Sequence, residues 1–248
     1  MKIAVLSDVH GNMIALNAVL DDVKKNNCTK TLFLGDYSLA GPEPAATVDY
    51  CMHLSTYDEI EMIQGNTDKM IANYSEDLYQ TVCNSGAPIM ANALKDEASS
   101  LPANQLEFLR NLPETKELEL EGLKILMVHG SPRRNNEDIA PDTDPKEVEE
   151  MVKDTDANII LCGHTHIPCG FQTMTRKTVI NAGSVGRPFT ENPHSCYLIL
   201  DLNNGKFVVE HKFVDYDNQK ASNILAQRSF GGASELAQML LNPSERHL

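Results

Sequence analysis

Five short apolar runs in this chain each lead directly into a side chain of the kind that binds a metal ion. Ile3-Ala4-Val5-Leu6 runs into Ser7-Asp8-Val9-His10-Gly11-Asn12, and Thr31 to Leu34 runs into Gly35-Asp36-Tyr37-Ser38-Leu39-Ala40-Gly41. Ile60 to Ile63 leads to Gln64-Gly65-Asn66-Thr67-Asp68, and Lys124 to Val128 leads to His129-Gly130-Ser131-Pro132. Asn158 to Cys162 ends in Gly163-His164-Thr165-His166. Short runs of this kind suit strands buried on both faces. In α/β sheets the loops at the carboxyl ends of strands converge on one crevice. The pattern therefore predicts one site that gathers Asp8, His10, Asp36, Asn66, His129, His164 and His166. If the chain stays extended beyond the first strand, Asp8 and His10, two residues apart, face the same way. Gly11 then permits a turn, and Asn12 is placed to cap the next helix.

The segments between the runs complete the architecture. Leu16, Val19, Leu20 and Val23 recur at helical spacing, and a second helix is expected over Ala45 to Leu54. Strand, helix, strand, helix, strand is the pattern of an α/β fold with a parallel sheet. From about 69 to 113 the sequence is helical without a convincing strand, divided at Pro88 and Pro102. We read it as a helical insertion. Leu118 to Leu120 and Lys124 to Val128 flank Glu121-Gly122 as a hairpin, and Asp144, Pro145 and Glu147 open a helix that reaches Lys153. Phe171 to Met174 and Thr178 to Asn181 are expected strands. Cys196 to Leu202 and Lys206 to Val214 pair across Asn203-Asn204-Gly205. Helices at about 217–248 close what we take as a single domain of 248 residues.

Charge narrows the classes of partner. With 21 Lys plus Arg against 35 Asp plus Glu, the formal charge is −14, which disfavours nonspecific binding to nucleic acid or anionic lipid. A phosphate-bearing substrate would then need a local positive charge, which metal ions supply. No apolar run approaches the ~18 residues of a membrane span, and the chain enters a strand at once instead of a signal-peptide pattern. The expectation is a cytoplasmic protein with no membrane partner and no nucleic-acid duplex partner, its oligomeric state open. The six cysteines lack a Cys-x-x-Cys pair and are expected as reduced, mostly buried thiols. His53, His194, His211 and His247 lack the strand-end setting and are assigned structural roles.

The order Asp-x-His, Gly-Asp-(four residues)-Gly, Gly-Asn-x-Asp, His-Gly, Gly-His-x-His resembles the calcineurin-like metallophosphoesterases. Asn181 to Pro188 is similar to the segment that follows in their small bacterial and archaeal phosphodiesterase branch. The resemblance implies two packed mixed β-sheets flanked by helices, with a dinuclear metal centre at the strand ends. Carried over, one ion takes Asp8, His10 and His166, the other takes Asn66, His129 and His164, and Asp36 bridges them. A nitrogen and oxygen ligand set without thiolate favours a divalent transition metal, manganese first, with iron, zinc or nickel as alternatives. Two such ions ~3.5–4 Å apart can share a hydroxide nucleophile and offset charge on phosphoryl oxygens. Asn66 and His129 would thus act as ligands beside the reacting group. Many relatives carry a histidine, thought to protonate the leaving oxygen, where this chain has Thr67; members of the small phosphodiesterase branch also lack it. Arg187, Arg133 and Arg134 are candidates to clamp a second phosphate. The implied function is a metal-dependent hydrolase of small-molecule phosphoric esters, a phosphodiesterase before a phosphomonoesterase. The alternative is a non-catalytic interaction scaffold, as in a retromer subunit of this fold that has lost part of its ligand set.

Overall fold

The computed structural model describes residues 1–243. Its chain forms β1 (Lys2–Leu6), α1 (Met13–Lys25), β2 (Lys30–Phe33), α2 (Pro44–Leu54) and β3 (Ile60–Met62). Four helices follow: α3 (Asn66–Ala72), α4 (Glu76–Asn84), α5 (Pro88–Ser100) and α6 (Ala103–Asn111). Then come β4 (Lys116–Leu120), β5 (Leu123–Met127), α7 (Pro145–Val152), β6 (Ile159–Cys162), β7 (Cys169–Gln172) and β8 (Thr178–Asn181). The last elements are β9 (Ser195–Asn203), β10 (Lys206–Val214), α8 (Asn218–Ala226) and α9 (Ala233–Met239). The expected closing helical region extends to 248, and its residues 244–248, with His247, lie outside the described residues.

Two mixed five-stranded sheets result, ordered β10-β9-β1-β2-β3 and β4-β5-β6-β8-β7. β1, β2 and β3 run parallel, as do β5, β6 and β8. Alternation along β1 shows how the layers are specified. Ile3 and Val5 face a core shared with Leu32, Leu198 and Leu200 and with Ile125, Met127, Ile159, Leu161 and Ile180 of the other sheet. Ala4 and Leu6 face the opposite side, where Leu16, Val48, Leu94, Leu109, Leu225 and Leu236 bring six helices against the first sheet. Val148, Met151 and Val152 of α7 cover the outer face of the second. Both hairpin turns with two left-handed residues are where the sequence placed them: Glu121 and Gly122 at φ 52° and 78°, Asn204 and Gly205 at 48° and 76°. One strand is shifted. β7 covers Cys169–Gln172 instead of Phe171 to Met174, because Thr173 donates its N–H to Lys177 O and begins the turn.

The helices between β3 and β4 are fastened to the sheet ends by a buried ion pair. Glu97 of α5 is fully buried. Its carboxylate accepts from Ser38 Oγ at 2.5 Å and from Ala40 N at 2.8 Å, both in the loop after β2. Arg228, just after α8, donates to Glu97 Oε1 at 2.7 Å, to Asp96 Oδ2 at 2.6 Å and to the Gly41 carbonyl at 2.7 Å. One guanidinium thereby joins the C-terminal helices, α5 and the Asp36 loop. Arg228→Met strands the Glu97 carboxylate in a dry interior, which typically costs ~3–5 kcal/mol. We expect urea unfolding to show a loss of about 3 kcal/mol on that basis; a loss within scatter would mean that the pair holds nothing together.

Candidate metal centre

All seven predicted side chains lie at the strand ends of the two sheets, four from the first and three from the second. The route by which they arrive differs from simple strand alternation. Asp8, His10, Asp36, His164 and His166 all have left-handed backbones, with φ of 56°, 47°, 59°, 67° and 61°. Such residues cost roughly 1 kcal/mol or more apiece and persist only where the surroundings dictate them. Here each folds a side chain back over its strand end. Asp8 and His10 thus converge through two left-handed bends, not through an extended segment. Asn12 does cap α1, accepting from Ala15 N at 3.1 Å.

What holds the bends is close packing of loop on loop. A methyl group on Gly41 would stand 1.6 Å from the His10 carbonyl oxygen, and one on Gly186 would stand 1.7 Å from that of Val9. Only glycine lets the two flanking loops approach the first one so closely. The segment from Asn181 to Arg187 fastens the rest. Ser184 Oγ donates to the Asp8 carbonyl at 2.8 Å, and Asn181 Nδ2 donates to the Gly163 carbonyl at 2.6 Å. Asp68 is a second clamp, one to which the sequence reading gave no role although it closes the Gly-Asn-x-Asp motif. Its carboxylate accepts from Asp36 N and Gly65 N at 2.8 Å each and from Tyr37 N at 2.9 Å. Burial and the nearby Asp36 push this carboxyl up to about 7, opposed by those three donors.

The acceptor atoms then meet. Nδ1 of His10 lies 2.7 Å from the Leu39 carbonyl and Nδ1 of His166 lies 2.5 Å from that of Arg187. A carbonyl can only accept, so each Nδ1 carries a proton, and in the neutral form of either ring the lone pair is at Nε2. Those two Nε2 atoms are 3.1 Å apart. Two lone pairs repel at that distance unless a cation, a proton or a metal ion, stands between them. His129 likewise turns Nδ1 to a carbonyl, Leu34 O at 2.7 Å, and sets Nε2 3.0 Å from Asn66 Oδ1. Between the imidazoles lie two carboxylate oxygens. Asp8 Oδ1 is 3.2 Å from His166 Nε2, 3.8 Å from that of His10 and 3.9 Å from that of His129. Asp36 Oδ2 is 3.4 Å from His129 Nε2 and 3.7 Å from that of His10. Asp8 Oδ1 accepts no hydrogen bond from the described residues although it is buried. An unpartnered buried carboxylate oxygen facing nitrogen lone pairs is the environment a divalent cation satisfies.

Two compact groups emerge, Asp8 with His10 and His166, and Asp8 with Asp36 and His129. Asp8 therefore stands as centrally as Asp36, which the resemblance alone had given the bridging place. Asn66 adjoins the second group. His164 lies beside it, its ring centroid 5.3 Å from that of His129, while its Nε2 faces Asp138 Oδ1 at 3.2 Å. Charge follows from the geometry. Burial alone would raise Asp8, but the imidazoles of His166 and His129 outweigh it and hold the carboxyl at about 2. Asp36 is held well below the carboxylate range, burial being overcome by His129. Burial and then His166 pull His10 down to about 4, so that ring is neutral. Burial disfavours the cation of His129, yet Asp36 and Asp8 push it up to about 10.

A cavity of about 140 Å³ opens over these groups, lined by His10, Asp36, Asn66, His164 and His166 and by Thr67, Met90, Arg187 and Phe189. Phe189 stacks on the His166 ring at 4.5 Å, a contact no sequence motif announced. Of the predicted arginines, Arg187 reaches this cavity. Arg133 lies elsewhere, its fork on Glu137 at 2.6 and 3.0 Å, and Arg134 lines with it a separate small cavity behind His129. The other described histidines are engaged locally: His53 with Tyr57, His194 with Asp215, and His211 with the Asn181 carbonyl. All six cysteines are free thiols. Among the described residues, no helix is long and apolar enough to cross a membrane.

A sequence model of the calcineurin-like phosphoesterase superfamily domain matches residues 1–205. The chain belongs to that superfamily, whose members are metal-dependent hydrolases of phosphoesters. An uncharacterized protein of Methanocaldococcus jannaschii is 29% identical over 234 residues, covering 88% of this chain and 89% of that one. The crystal structure of a hypothetical protein from Pyrococcus horikoshii superposes with a TM-score of 0.84 at 22% identity, covering 98% of each chain. A metallophosphoesterase from Sphaerobacter thermophilus gives 0.75 at 23% identity, covering 97% of this chain and 98% of its own. At those identities the two crystal structures attest the fold.

The clamp at Asp68 can be tested apart from the ligands. In Asp68→Asn one acceptor oxygen becomes an NH2 group set against backbone N–H, loosening the Asp36 and Asn66 loops together. Removing a partner that positions ligands typically costs 10–100-fold in metal affinity. We expect Mn²⁺ affinity, measured by calorimetric titration, to fall by about tenfold or more on that basis. Unchanged affinity would show that the loops hold their shape without the clamp.

Proposed function

We propose that the protein is a phosphodiesterase working through two divalent transition-metal ions at this centre. The observation that carries the proposal is the pair of Nε2 lone pairs of His10 and His166, 3.1 Å apart beside the unpartnered Asp8 Oδ1. In this reading Asp8, His10 and His166 hold one ion, Asn66, His129 and His164 hold the other, and Asp36 and Asp8 both lie between them. Manganese fits the nitrogen and oxygen donors, with iron, zinc or nickel as chemical alternatives. Bound there, the ions would supply a nucleophile at neutral pH and offset the charge of an in-line displacement.

The chain's own groups do the rest. Arg187 contributes a guanidinium to the wall of the cavity, 5% exposed and still charged although burial pulls its pKa down to about 10. It is placed to pair with a non-bridging oxygen or a second phosphate of the substrate. Thr67 occupies the position of the leaving-group acid in fuller motifs. It is 6% exposed and its hydroxyl has no hydrogen-bond partner among the described residues. A hydroxyl is far too weak an acid to protonate a departing alkoxide near pH 7. Esters whose leaving groups depart as stable anions are therefore favoured.

Two measurements follow. Elemental analysis of the purified protein should find up to two transition-metal ions per chain, and chelation should abolish hydrolysis of p-nitrophenyl phosphodiesters. Protein that is free of metal and gains no activity from Mn²⁺ or Ni²⁺ would overturn the proposal. Separately, rates over a series of diesters should depend steeply on leaving-group pKa. Thr67→His, at matched metal content, should flatten that dependence and speed alkyl esters by about 10²-fold or less, the low end of general-acid catalysis. A shallow dependence in the parent protein would mean that another group supplies the proton.

A further inference from the structure

A larger chamber adjoins the metal cavity. It measures about 420 Å³ and is walled by Ala87, Pro88, Ile89 and Met90 at the start of α5 and by Leu236 and Met239 of α9. Apart from Arg187 and the exposed Glu235, no charged side chain among the described residues lines it. Met90 and Arg187 belong to the walls of both spaces, so these two side chains form the partition between them. The size falls in the ~300–1,000 Å³ range of small-ligand pockets, which combine apolar walls with a few polar anchors.

The partition has unusual chemistry. Arg187 is buried, yet among the described residues its guanidinium meets no carboxylate. NH1 lies 3.4 Å from Met90 Sδ, NH2 lies 4.0 Å from Met239 Sδ, and the group sits 5.4 Å over the Phe189 ring. Thioethers are weak acceptors, so a desolvated cation is left without the anion it would normally have. Methionine is also the most adaptable apolar side chain, unbranched and easily displaced. A ligand with an anionic centre over the metal cavity and an apolar arm would satisfy both features at once. The anion would replace sulfur at Arg187, and the arm would move Met90 aside and enter the chamber. The far wall, α9, lies beyond residues 1–205 that match the family.

We propose, on the basis of the phosphodiesterase reading above, that this chamber binds an apolar ester group of the substrate. The substrate class is then a phosphodiester with one alkyl or aryl arm. A polar nucleoside would leave its hydrogen-bonding groups unpaired against these walls.

The test uses alkylphosphonates as inhibitors, since each carries one anionic head and one apolar arm and is not cleaved. Metal-loaded protein is assayed on bis(p-nitrophenyl) phosphate, where water adds to phosphorus and p-nitrophenolate leaves, with methyl-, butyl- or hexylphosphonate as competitor. Inhibition constants should fall by about fourfold per added methylene as the arm is buried. Ala87→Trp, which fills the chamber from its rim, should bring the three constants close together. Equal constants in the parent protein overturn the inference and leave the phosphodiesterase reading standing. A chain-length dependence that survives Ala87→Trp also overturns it, because the arm then binds elsewhere. If the metal-loaded protein cleaves no diester at all, the reading itself fails and the inference falls with it.

Discussion

Everything at the crevice is arranged to hold electron-rich atoms face to face. Two imidazole nitrogens 3.1 Å apart and two buried carboxylates do not assemble unaided. Left to themselves these groups would repel, so the fold must hold them by other means. The means are visible in the backbone. Five of the seven side chains sit on left-handed residues, an arrangement worth several kcal/mol of strain in total. The counterweight is the apolar sandwich beneath, where Ile3, Val5, Leu32, Ile125 and Ile159 fix the strand ends from which the strained loops spring. Rigidity of the core is thus what makes the crevice reactive toward cations.

Between core and crevice lies a layer of polar ties. Asp68 joins the loops after β2 and β3, Asn181 and Ser184 join the loops after β1 and β6, and Glu97 with Arg228 anchors the helices between β3 and β4. Each tie satisfies backbone groups that irregular loops would otherwise leave unpaired. The same carboxylates and amides therefore serve two ends, completing the loops and fixing the side chains that those loops carry.

The succession of strands and helices along the chain, both hairpin turns and the seven converging side chains were readable because each rests on local chemistry: apolar runs, Asn-Gly-type turns and ligand-type residues at run ends. The strained route taken by Asp8 and His10 was not, since nothing in Ser7-Asp8-Val9-His10 signals left-handed φ. Nor was the central place of Asp8, which depends on the registration of two sheets whose loops meet only in three dimensions. Asp68 stood within a recognised motif, but its work is done by accepting from backbone, which no side-chain pattern reveals. Met90, Phe189 and Met239 carried no signal, because apolar residues on helices and loops read as core. Arg187 lay in the family-like segment Asn181 to Pro188 and Arg133 did not; the structure adds the partners, Glu137 for Arg133 and two thioethers for Arg187.

The meeting of His10 and His166 has a mechanical side as well. These residues are 156 positions apart and belong to different sheets. A cation shared by them would act as a cross-link, closing a loop long enough to shrink the unfolded ensemble by about 5 kcal/mol on the chain-entropy scale. The six cysteines are unpaired, so that ion would do what a disulfide does in other small proteins. Starving the chain of metal would then unfasten the two halves of the sandwich, and what began as a loss of chemistry would end as a loss of kinetic persistence.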